Sequence, residues 1–131
     1  MSQSLRDKGI EMFNTVYCGD LPQPPAPGAD KFFDFMLEGL FGKLWADSTL
    51  SLRDRRLLLL GAIAAQGEDM TWTIQARSAM KRGELNQQEL EEIILFLTQY
   101  IGYPRASKMR MALMGLLAQQ KQALQAEQKP A

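Results

Sequence analysis

The sequence contains no histidine, and its one cysteine is Cys18. Without histidine the chain has no imidazole base, no Ser–His–Asp triad and no imidazole ligand for zinc or haem. A single cysteine excludes an intramolecular disulfide and a cysteine-based metal cluster. We therefore expect no metal, no cofactor and no dithiol peroxidase activity, because a lone thiol has no resolving partner in the chain.

Neither sign of charge is in surplus, since 15 Lys and Arg residues balance 15 Asp and Glu residues. Binding to nucleic acid through bulk charge needs a basic surplus or stripe, so we expect no nucleic-acid partner. The longest apolar run, Leu57 to Ala65, is about half the length of a bilayer span. The first residues also lack the apolar run of a signal peptide. These features predict a cytoplasmic protein without a membrane partner.

What the sequence does contain is apolar residues at helical spacing, with no alternating pattern typical of strands. We expect an all-α fold of about six helices in a single domain over residues 1–131, with its core at about 8–117. The predicted helices cover about 5–17, 30–45, 51–66, 69–82 and 87–101, and a last helix starts near Pro104 and passes Leu117. A polyproline loop is expected at 19–29 and a partly disordered tail at 119–131.

Capping residues mark several of these helix ends. Asp30, Ser51 and Asn86 are predicted N-caps, and Glu89 makes the last of them a capping box. Gly67 and Gly83 are predicted to end helices. The helix at 30–45 is apolar over more than one face, which predicts burial on several sides or partly against another chain.

Five segments of the chain, in this order and spacing, resemble the carboxymuconolactone decarboxylase family over roughly residues 8–117. They are Glu38–Trp45, Leu50–Arg55, Ala79–Gly83, Gln88–Ile93 and Tyr100–Pro104. The resemblance implies a six-helix subunit of the carboxymuconolactone decarboxylase and alkylhydroperoxidase D-like type. It implies a ring of identical subunits, so the expected partner is the protein itself as a homo-hexamer or trimer. It also implies a lyase that removes carbon dioxide from a small carboxylated lactone in the breakdown of aromatic compounds.

The sequence departs from this family at the positions of its reactive side chains. Gln75 occupies the place of one family histidine, and Phe96 occupies that of another. The related alkylhydroperoxidase D-like branch reduces peroxides with a Cys-x-x-Cys pair, and Glu68 and Thr71 stand at the positions of those two cysteines. A non-catalytic, ring-forming binding or scaffold protein is therefore the alternative to the lyase.

Two charged residues are the candidates for catalysis. A decarboxylase must hold a carboxylate and return a proton to carbon. Arg55 could hold the carboxylate through two hydrogen bonds, and Glu38, flanked by apolar residues, could supply the proton. The alternative is that Glu38 and Arg55 form a structural ion pair between helices.

Four further residues are candidates for binding a small-molecule ligand. Gln75 could orient a ligand carbonyl, although its amide does not titrate. Trp45 and Trp72 could wall a pocket, and Tyr100 could donate a hydrogen bond. The alternatives are an ordinary polar side chain for Gln75 and packing in the core or at an interface for the aromatic residues.

Overall fold

Helices predominate in residues 3–128, which are the residues that the computed structural model describes, and this part contains no strand. The helices are α1 Leu5–Tyr17, α2 Lys31–Phe35, α3 Leu52–Gln66, α4 Asp69–Lys81, α5 Gln87–Ile101 and α6 Tyr103–Gln128, with α2 continuing into a π-helical segment, Met36–Trp45. If α2 and the π-helical segment are counted together, there are six helices. The predicted all-α, six-helix fold is confirmed.

The predicted capping residues make the expected hydrogen bonds. The Asp30 carboxylate accepts from the Phe32 amide at 3.0 Å, and the Ser51 hydroxyl accepts from the Asp54 amide at 3.0 Å. Asn86 and Glu89 form a reciprocal capping box, with bonds of 2.8 and 3.0 Å. These side chains satisfy backbone N–H groups that have no partner within the helix.

The chain forms two compact units, divided in the sequence between Arg55 and Arg56. The single domain that we expect over residues 1–131 stays a prediction.

In the first unit α1 packs against the π-helical segment. Phe13 contacts Phe41 edge to face at 5.3 Å between ring centroids, and Phe41 stacks on Trp45 at 6.3 Å. These aromatic contacts form the core of the unit.

The π-helical segment buries one side and exposes the other. Its backbone bonds join residues five apart, as in the bond from the Ala46 amide to the Phe41 carbonyl. Leu37, Phe41 and Trp45 are buried. They are spaced four residues apart, which is close to one turn of the helix, so their side chains lie on the same side. Exposed large apolar side chains are Leu40 and Leu44 on the π-helical segment and Phe32 and Phe35 on the preceding α2. The expectation that another chain covers this helix stays a prediction.

Glycine allows the close packing of α1 on the π-helical segment. A Cβ atom at Gly9 would overlap the carbonyl oxygen of Leu37, and one at Gly42 would lie 2.6 Å from the carbonyl oxygen of Leu5. Both glycines are buried. The backbones of the two helices therefore touch at positions where no side chain fits.

The second unit is built around a core to which all four of its helices contribute. Its fully buried members include Leu60 on α3, Trp72 on α4, Leu90 on α5 and Met109 on α6. Helix α6 packs against both α4 and α5. The expected tail at 119–131 is helical as far as Gln128, and its last three residues lie outside the described residues.

None of the helices within residues 3–128 has both the length and the apolar character of a membrane span.

Candidate functional site

The most deeply buried charge of the second unit is Arg56. Its side chain is fully buried, and its Nε atom donates to Oε1 of Glu84 at 2.9 Å. Its Nη1 atom donates to Oε1 of Gln75 at 2.7 Å. Arg82 completes the group by donating from Nε to Oε2 of Glu84 at 2.7 Å. We call Arg56, Gln75, Arg82 and Glu84 the buried arginine cluster.

Three chain segments position this cluster. Arg56 lies on α3, Gln75 lies on α4, and Arg82 and Glu84 flank the turn at Gly83, which has a φ of 71°. Leu85 follows Glu84 and is part of the core, so the segment directly after α4 is buried in the second unit. The Arg56–Glu84 ion pair therefore ties the end of α4 to α3.

Arg56 is not among the residues predicted from the sequence, which include its neighbour Arg55 instead. A helical signal for Arg56 was nevertheless present. Leu60, Ile63 and Ala64, four, seven and eight residues further on, are all buried. Residues at these spacings share one face of a helix, so the apolar pattern of α3 places Arg56 on the core face. Glu84 had no comparable signal, because it lies in a turn.

Gln75 is buried and its carbonyl oxygen accepts the bond from Arg56. An arginine keeps its proton at all pH values relevant to proteins, and a glutamine amide does not titrate. The position that the family resemblance assigns to an imidazole thus holds a hydrogen-bond acceptor that is already occupied.

Trp72 lies one turn before Gln75 on α4 and is fully buried in the core. Its indole Nε1 has no hydrogen-bond partner within the described residues. Tyr100 lies at the other extreme, with 78% of its surface exposed, and its ring contacts Phe96 at 5.3 Å. Within the second unit, then, two of the predicted ligand-binding residues are interior and the third lies on the surface.

Arg55 belongs to the first unit and stabilises a turn there. Its Nε atom donates to the Leu44 carbonyl at 2.9 Å, near the end of the π-helical segment. Its Nη2 atom lies 3.6 Å from Oδ1 of Asp47. A cation at the carbonyl end of a helix is favourable, because the unpaired carbonyls there carry partial negative charge.

The pKa of the Asp47 carboxyl is lowered from its ordinary value, mainly by hydrogen bonding to Thr49, with a smaller effect from the charge of Arg55. The Thr49 amide donates to Oδ1 of Asp47 at 2.8 Å. Arg55, Asp47 and Thr49 together hold the turn that follows the π-helical segment.

Glu38 is exposed and makes no hydrogen bond or ion pair with the other residues of 3–128. The structural Glu38–Arg55 pair that we considered is not formed, because Arg55 uses Leu44 and Asp47. Trp45 is buried in the aromatic core of the first unit. The buried arginine does have a carboxylate partner, but the pair is Arg56 with Glu84. The catalytic and ligand-binding roles assigned from the sequence stay predictions.

Within the described part of the chain no three Asp, Glu or Cys side chains come together in a way that could hold a metal ion.

The fold and the buried arginine cluster define an all-helical protein with a structural ion pair in the core of its second unit. The model of the carboxymuconolactone decarboxylase family matches residues 30–114, which is more than half of the chain. The chain belongs to this family. A comparison with curated proteins found no match.

Proposed function

We propose that this protein is a non-catalytic member of the carboxymuconolactone decarboxylase family, a binding or scaffold protein that assembles with copies of itself. The observation that carries the proposal is the hydrogen bond from Arg56 to Gln75. Where relatives are expected to carry an imidazole, this chain places an amide that is buried and bonded to a buried ion pair.

Decarboxylation ends with delivery of a proton to carbon, which needs a group that titrates near the working pH. Arg56 and Gln75 do not meet this requirement, and both oxygens of Glu84 already accept hydrogen bonds from guanidinium groups. The buried arginine cluster is thus suited to joining helices.

Self-association is supported by the surface. Large apolar side chains are exposed in both units, among them Phe32 and Phe35 in the first and Phe96 and Met114 in the second. Exposed apolar side chains that lie close together are typical of protein interfaces. A closed homo-oligomer, a hexamer or trimer, is the assembly that we propose. The even charge balance and the lone Cys18 fit a cytoplasmic location.

A lyase acting on a small carboxylated lactone is the second candidate. Its support is the exposed carboxyl of Glu38, which has no partner within residues 3–128 and is free to act on a ligand at the surface. Such a lyase would also need a cation for the substrate carboxylate, and Arg55 is engaged by the Leu44 carbonyl.

The two candidate functions predict different results in an activity assay, because a lyase releases carbon dioxide from its substrate and a binding or scaffold protein does not. We would incubate the purified protein with a carboxylated muconolactone, follow release of carbon dioxide, and measure the mass of the assembly by light scattering. We expect an assembly of several chains and no release above the blank. Release that is lost in Glu38→Gln, but kept in the matched exposed variant Glu92→Gln on α5, would establish the lyase instead.

A further inference from the structure

A groove runs between α5 and α6 on the surface of the second unit. It consists of two cavities of about 350 and 150 Å³, and both are lined by Glu91, Ile94 and Arg110. The two cavities share these three residues, and we call them together the α5–α6 groove. Buried Ile94 and Leu113 provide an apolar floor.

The walls of the α5–α6 groove are also apolar, yet they face solvent. Leu95, Tyr103 and Met114 line it and are between 57% and 70% exposed. Tyrosine, methionine and arginine are enriched in protein interfaces relative to the rest of the surface. The composition of the groove therefore favours a protein partner.

Two residues of opposite charge in the α5–α6 groove indicate which protein partner fits it. Glu91 and Arg110 line the same groove but form no ion pair with each other. Gln87 donates to Glu91 at 3.1 Å, and Arg110 has no partner within residues 3–128. In a two-fold contact, residue i of each copy meets residue j of the other copy, so an exposed cation and an exposed carboxylate in the same groove can form two equivalent ion pairs across the axis.

We propose that the α5–α6 groove is a two-fold contact between two copies of this chain, in which Arg110 of each copy pairs with Glu91 of the other. The apolar floor and walls are buried by the same contact, which removes their exposed surface from water. The inference names the surface for the self-association proposed above and rests on it.

Charge reversal tests the pairing. The E91R chain carries two cations in the groove, and the R110E chain carries two carboxylates. Each variant alone faces like charges across the two-fold axis, so we expect its dissociation constant to rise roughly tenfold or more. An equimolar mixture of the two variants restores both ion pairs between unlike chains. We expect light scattering to show a loss of mass for each variant and its recovery in the mixture.

The mixture separates effects between chains from effects within one chain. If charge reversal only destabilised α5 or α6, mixing two damaged chains would recover nothing, and the groove contact would be overturned. Glu92→Arg and Lys121→Glu are matched controls, because they make the same changes at exposed positions of α5 and α6 outside the groove. We expect both controls to keep the mass of the parent.

The remaining outcomes distinguish this inference from the proposed function. A monomeric parent contradicts self-association itself and the groove contact with it. An assembled parent whose mass is unchanged in E91R and R110E overturns the groove contact alone. A small carboxylated ligand that shifts the NMR signals of Ile94 and Leu113 without changing the mass would make the groove a ligand site and overturn the contact.

Discussion

Nη1 of Arg56 lies 2.7 Å from Oε1 of Gln75, and both side chains are shielded from water. The bond joins α3 to α4 in the interior of the second unit. Glu84 balances the charge of Arg56 with a second contact at 2.9 Å. A buried cation needs both the opposite charge and hydrogen-bond acceptors, because transfer of an ion out of water is costly.

Glu84→Gln should strongly destabilise the protein. The substitution keeps the shape of the side chain but leaves Arg56 buried without a counter-charge. Removal of one partner from a buried ion pair costs about 3–5 kcal/mol. Chemical denaturation of the parent and the variant measures this difference in the free energy of unfolding.

The control for Glu84→Gln is the same substitution at exposed Glu38, which should change the free energy of unfolding by less than about 0.5 kcal/mol. The double variant Arg56→Met/Glu84→Gln should recover part of the loss, because it removes the unpaired charge. Equal stability of Glu84→Gln and Glu38→Gln would show that the ion pair contributes nothing.

Most helix boundaries can be predicted from the sequence because their signals are local. Asp30, Ser51 and Asn86 each bond to a backbone amide within three residues, so the capping pattern can be recognised without the tertiary structure. The all-α fold follows from the same kind of signal, since helical spacing is visible in any window of the chain.

The residues of the candidate site could be predicted only in part. Arg56 and Glu84 are 28 residues apart, and no local pattern joins them. The apolar run around Glu38 suggested a buried carboxyl, yet the π-helical turn places Leu37 and Phe41 inside and Glu38 outside. Leu40 and Leu44 of the same segment are exposed, so apolar residues occur on both of its sides and their pattern does not identify the buried one.

Gly9→Ala should destabilise the first unit. The added methyl group would overlap the carbonyl oxygen of Leu37, which is backbone and cannot rotate away. Overpacking of this kind costs about 1–3 kcal/mol. Gly39→Ala is the matched control, because a Cβ there meets nothing within 4 Å. Thermal melting should show a clear drop for Gly9→Ala and none for Gly39→Ala, and a parent-like melt for both would contradict the close contact of the two backbones.

Titration of Asp47 should have a midpoint below 3.8. Hydrogen bonding to Thr49 favours the charged carboxylate in the folded chain, with the charge of Arg55 as a smaller cause. Because the folded pKa is the lower one, the stabilising effect is present above pH 3.8 and is lost as the pH falls through the folded value. NMR titration of the carboxyl carbon measures the midpoint. Thr49→Ala removes the side-chain hydrogen bond and keeps the amide, so it should move the midpoint part of the way towards 3.8, and an unchanged midpoint would refute the role of the Thr49 side chain.

Arg6→Met should loosen the polyproline loop. Arg6 donates to the Pro25 carbonyl at 2.6 Å and to Asp34 at 2.9 Å, and Asp34 in turn accepts from the Gly28 amide at 3.0 Å. The loop is thereby held at two points, and hydrogen bonds to a charged group contribute about 1.5–3 kcal/mol each when shielded from water. We expect faster hydrogen exchange at the Gly28 amide, by roughly tenfold, measured by NMR. Lys8→Met, at an exposed position of the same helix, should leave that rate unchanged, and equal rates in the two variants would show that Arg6 does not anchor the loop.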